Sequence, residues 1–156
     1  ITSFSSEVGS SMDDTKREWV RSWLIKAHSD LRSARALAAL SEPATDTAIY
    51  HCQQAAEKSL KGYLAFRDRP LERTHDLERL LELATALDPS FASLEIQADG
   101  LNPYATVFRY PDMLGSQFPS VAEVNTAIEH AQAIYEGVLQ RIPEAAHPPA
   151  NHTAAS

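Results

Sequence analysis

The sequence predicts an all-α fold, an antiparallel up-and-down bundle of four to five helices. Three observations carry this. Apolar residues recur at alternating steps of 3 and 4 along separate segments. No segment shows the period-2 alternation of a strand. Cap and proline signals separate the periodic segments.

The first helix, expected near 15–40, has its seam at Val20, Leu24, Ala27, Leu31, Ala34 and Ala38. Trp19 and Trp23 widen the stripe, and Thr15 with Glu18 reads as its capping box. Pro43 requires a stop near Ser41. The second helix, from about Asp46 to Phe66, buries Ile49, Cys52, Ala56, Ser59 and Tyr63, with Leu60 and Leu64 beside them. That stripe is small in volume. Gly62, which costs about 1 kcal/mol inside a helix, fits there because a neighbouring helix comes close.

Arg67 to Arg73 is a polar loop. Thr74 is placed to cap the third helix, whose buried face is Leu77, Leu80, Leu81, Ala84 and Leu87. Asp88-Pro89 and Asn102-Pro103 each read as a cap followed by proline in the first turn of a short helix. The second short helix is expected to carry Tyr104, Val107 and Phe108. Ser120 and Glu123 form a further capping box. The last helix then runs through Val121, Val124, Ile128, Ala131, Tyr135, Val138 and Ile142 to its stop at Pro143.

The 156 residues fit one domain with its own core. The reading is a flexible N-terminal segment over 1–14, the bundle over 15–143 and a disordered tail over 144–156, rich in Ala, Pro and His. Cys52 is the single cysteine, which rules out an intrachain disulfide and a cysteine-built zinc site. No apolar run is long enough for a signal peptide or a membrane span, so a cytoplasmic location is expected. The net charge of -7 means that any polyanion contact needs a local basic patch. The histidines show no ligand spacing and no phosphate-binding glycine loop exists, so neither a metal nor a cofactor is expected.

Three pieces of sequence, in order, resemble the HEPN family: Tyr50 to Lys61 (YHCQQAAEKSLK) on the second helix, Thr74-His75-Asp76-Leu77 opening the third, and Arg109-Tyr110-Pro111-Asp112 before the last. The resemblance covers roughly residues 17–142. It implies a helical bundle that commonly dimerises. It further implies a link to nucleotides, and often a minimal nucleotidyltransferase as partner in a toxin–antitoxin-like pair. Some members are metal-independent RNA endonucleases with Arg, four to six residues, then His. Attack by a 2′-hydroxyl needs a proton acceptor such as His and a fixed cation such as Arg. Arg109 occupies the matching place. Positions 114–116 hold Leu114, Gly115 and Ser116, none of which does acid–base work. The same spacing links Arg21 to His28 on the first helix, Arg69 to His75 across a loop and a cap, and Arg141 to His147 across Pro143; the first pair reads as a solvated helix surface.

Seven residues are the candidate ligand-binding set: Gln54, Lys58, Lys61, His75, Arg109, Tyr110 and Asp112. Gln54, Lys58 and Lys61 line one side of the second helix, as a groove offering donors to phosphate or as a solvated face with a Glu57–Lys61 pair. Lys58 to Arg73 holds five cations against Asp68 and Glu72, the most basic stretch of an acidic chain. Trp19 and Trp23 read as core or dimer contacts before they read as a stacking platform. The surplus of aromatic surface at Trp19, Trp23, Tyr104 and Phe108 leads us to expect a symmetric homodimer. The leading function is a non-catalytic module that binds a nucleotide or a partner nucleotidyltransferase. An RNA-cleaving toxin using His75 near Arg109, and a generic helical scaffold, are the alternatives.

Overall fold

The computed structural model describes residues 12–105 and 118–149. These form five helices: α1 (Asp14–Ala38), α2 (Thr45–Phe66), α3 (Leu77–Leu87), α4 (Glu95–Leu101) and α5 (Val121–Leu139). Three 3-10 turns, Pro89–Leu94, Asn102–Ala105 and Glu144–Ala146, join or follow them. There is no strand among the described residues.

Contacts fix the directions. Lys16 meets Asp68, Trp23 meets Gly62 and Asp30 meets His51, so α1 and α2 run antiparallel. His28 packs on Tyr135 and Arg35 reaches Gln132, so α5 runs antiparallel to α1. α2 is the central helix, since 15 of its 22 residues are buried. Its small side chains permit this. A methyl added at Gly62 would lie 3.2 Å from Trp23 Cβ and 3.3 Å from Leu24 Cδ2, the close approach expected there.

The α1 seam is buried at Val20, Leu24, Ala27, Leu31 and Ala34. On α5 the buried face is Val124, Ala127, Ala131, Ile134, Tyr135 and Val138, while Val121 stands exposed at the first turn. The Ser120–Glu123 capping box is present as expected.

Helix starts differ from expectation where a better cap lay close by. Asp13, rather than Thr15, caps α1, accepting from the Lys16 amide at 2.8 Å. Asp76, rather than Thr74, caps α3, while Thr74 Oγ1 accepts from the Asp76 amide. Asn102 opens a short 3-10 turn, Asn102–Ala105, and also serves α3. Its Oδ1 accepts from the Leu77 amide at 2.7 Å and its Nδ2 donates to Asp76, so it finishes the α3 cap across 25 residues of sequence. Tyr104 lies in the 3-10 turn; Val107 and Phe108 fall outside the described residues.

The tail was expected to begin at 144, and Glu144–Ala146 form a 3-10 turn there. Ala146 is fully buried, and Arg21 donates to the carbonyls of Ala145 and His147. Composition concealed this because the anchor is a side chain on α1, 124 residues away.

Candidate functional site

Two carboxylates sit almost wholly out of water beside α2. Asp30 comes from the apolar side of α1, where its steps from Ala27 and Ala34 place it in the seam. Its Oδ1 meets His51 Nδ1 at 2.8 Å and its Oδ2 accepts from Lys58 Nζ at 2.6 Å. Glu57, 6% exposed, lies on α2 itself. Its Oε1 meets His75 Nδ1 at 2.8 Å, and its Oε2 accepts from Lys61 Nζ at 3.0 Å. Each carboxylate therefore holds one lysine and one histidine.

Gln53 completes the second group. It is fully buried, donates to the His75 carbonyl at 3.0 Å and accepts from Gln54 Nε2 at 2.8 Å. Burial of two carboxylates is tolerable only with this degree of pairing, because an unpartnered buried charge costs several kcal/mol.

The chemistry follows from the donors that remain. A carboxylate can only accept, so the ring hydrogen of His51 and His75 sits on Nδ1 and Nε2 is turned to other partners. His75 is 64% exposed, so its Nε2 is within reach of solvent or a ligand. An ammonium has three donors; Lys58 and Lys61 each show one protein acceptor. No thiolate adds to this. Burial pushes the Cys52 thiol up to about 12, so it stays protonated at neutral pH.

The structure thus brings Gln54, Lys58, Lys61 and His75 onto one side of α2, in two adjacent networks. Lys61 is 10% exposed, so this is no solvated face. Arg109, Tyr110 and Asp112 lie outside the described residues. Sequence reasoning left out Asp30 and His51, and treated Glu57 as a mere helix neighbour of Lys61. One signal was available, a carboxylate at a seam position of α1. Elsewhere, Arg141 binds Ser90 and the Gly137 carbonyl, which gives the Arg141/His147 spacing a structural role. Among the described residues, no three His, Cys, Asp or Glu side chains converge as a metal ligand set. No described helix is long and apolar enough to cross a membrane.

Comparison with known proteins gives two findings and one blank. The HEPN domain model matches residues 20–142. The crystal structure of ST0689, an archaeal HEPN homologue, superposes with a TM-score of 0.63 at 28% identity, covering 80% of this chain and 98% of that one. No curated protein matches. The match over 20–142 takes in the described helices α2 to α5 and most of α1, and with it the chain belongs to the HEPN domain family.

Proposed function

We propose that this chain is a non-catalytic HEPN module that binds a nucleotide or a partner nucleotidyltransferase, in a toxin–antitoxin-like pair. The polar side of α2 is the contact surface. The observation that carries the reading is the pair of buried carboxylates. They fix Lys58, Lys61, His51 and His75 in place before any ligand arrives. Such preorganisation lowers the ordering cost of binding. The unused ammonium hydrogens suit phosphate oxygens or acidic side chains of a partner.

The module is proposed to act as a homodimer. Leu40, Ile96, Phe118 and Val121 are large apolar side chains left exposed, a motive for burial against a second copy. A monomer mass in light scattering at high micromolar concentration would contradict this.

The functional test is calorimetric titration of the chain with nucleotides and with the nucleotidyltransferase encoded beside it, if one is. Binding that His75→Gln weakens supports the reading; binding to neither ligand refutes it and leaves the generic scaffold. One observation favours a second reading, the RNA endonuclease. The Glu57–His75 pair has the geometry of an oriented general base, with Nε2 outward. Incubation of RNA with the chain in chelator decides this, since cleavage abolished by His75→Gln would establish catalysis.

A further inference from the structure

The basic stretch from Lys58 to Arg73 keeps little of its charge free. Lys58 is held by Asp30 and Lys61 by Glu57. Arg67 donates to the Tyr63 hydroxyl and the Leu87 carbonyl. Glu72, near enough to feel Arg69, gives both its oxygens to Arg79. Among the described residues the Arg69 guanidinium has no hydrogen bond or ion pair, although the residue is half-buried.

Arg69 is held in place by its backbone. Asp68 sits at a φ of 58°, the left-handed region, and ends α2. The Asp68 amide donates to the Ala65 carbonyl and the Arg69 amide to the Leu64 carbonyl, the two bonds of a Schellman cap. The Asp68 carboxylate, in turn, takes Lys16 Nζ from α1 at 2.9 Å. The loop is pinned at both ends of this turn, and Arg69 points from it into a cavity of about 740 Å³.

Trp19, 51% exposed, lines the same cavity, as do Pro70 and Leu71. The Trp19 ring is steadied edge-on by Trp23, whose centroid is 5.5 Å away at 70°. Trp23 in turn lies under Lys61 Nζ, 6.0 Å from its centroid. An indole face beside an unpaired guanidinium is the pairing that takes a flat aromatic ring and an anion together.

Charge limits the ligand further. Lys16 and Arg69 are balanced by Asp13 and Asp68, which also line the cavity. More than one phosphate inside the cavity would be repelled, whereas a single phosphate finds the Arg69 guanidinium. The two carboxylates suit hydroxyl or amino donors. We propose that this cavity seats one ribonucleotide unit, its base on Trp19 and its phosphate on Arg69. The unit is either a free nucleoside monophosphate or one residue of single-stranded RNA. This rests on the nucleotide limb of the function proposed above and gives that limb a site of its own.

The test uses the full 156-residue chain, with adenosine monophosphate in one arm and a six-residue oligoadenylate in the other. Tryptophan quenching detects stacking and calorimetry gives the affinities. Trp19→Ala and Arg69→Ala should each weaken binding about tenfold or more, the equivalent of about 1.4 kcal/mol. Arg73→Ala removes the same charge from the same stretch without touching the cavity, and should change affinity less than about twofold. Saturation by the monophosphate assigns the free nucleotide; response to the oligomer alone assigns the strand. No response in either arm overturns the proposal. So does binding that His75→Gln abolishes while Trp19→Ala and Arg69→Ala preserve it, and in that case the α2 reading stands. A Trp19→Ala chain that turns from dimer to monomer with unchanged nucleotide affinity also overturns it.

Discussion

Lys61→Met removes a charge from one side of a buried pair and keeps most of the side chain's bulk. The Glu57 carboxylate would then stay in place, 6% exposed, with His75 and Gln53 as its remaining partners. Breaking a buried pair by deleting one member costs about 3–5 kcal/mol. The two surviving contacts place this case at the lower end, about 3 kcal/mol. For a chain of this length 1 kcal/mol shifts Tm by about 2–4 °C, so the loss is about 6–12 °C. The double variant Glu57→Leu with Lys61→Met removes both charges. His75 is solvent-exposed and hydrates, and Gln53 keeps the His75 carbonyl. Stability should therefore return to within about 1 kcal/mol of the parent, as apolar replacement of buried ion pairs does elsewhere. Urea denaturation followed by far-UV circular dichroism measures both. A single variant that costs less than about 1 kcal/mol, or a double variant as unstable as the single, would refute the buried-pair argument.

Asp68→Gly relieves a left-handed residue of its side chain and loses one exposed ion pair. The first effect favours glycine by about 1 kcal/mol and the second is worth about 0.5. A thermal melt should show equal or higher stability, and a marked loss would mean that the Lys16 contact outweighs backbone strain. Asn102→Ala should cost about 1–2 kcal/mol, because it strips the Leu77 amide of its acceptor; an unchanged denaturation midpoint would contradict that. The Cys52 thiol is pushed from 9.0 to about 12 by burial, and the Tyr135 hydroxyl from 10.0 to about 12 by burial and Glu136. Raised values mean that the folded state holds its protons longer than the unfolded one. This stabilisation is complete below pH 9 and is lost as pH climbs towards 12. Native Cys52 should resist iodoacetamide at pH 8 and react only as fast as the chain opens.

The fold was legible because its information is local. Val20, Leu24, Ala27 and Leu31 state a helix face by spacing alone, and Gly62 states a close crossing because a Cβ there would press on Trp23 and Leu24. Ser120 and Glu123 are three residues apart, so their box could be read directly. The Asn102 cap on α3 could not, since its partners are 25 and 26 residues away and meet only in the tertiary fold. The same holds for Arg21, whose partners follow the last helix.

The site was half legible for a related reason. Spacing placed Gln54, Lys58 and Lys61 on one side of α2, and that was right. Whether such a side faces water depends on what packs over it, and α2 turned out to be the central helix. A central helix leaves few of its polar residues to solvent, so these find partners on a neighbour or on the helix itself. Asp30 and Glu57 therefore answer Lys58 and Lys61, and the charge that sequence counts as available is largely used inside the molecule. The first cation of the basic stretch to escape this is Arg69, because it lies past the Schellman turn where α2 has left the core. Unpaired charge is therefore found past the end of the central helix, where Arg69 and Trp19 line one cavity.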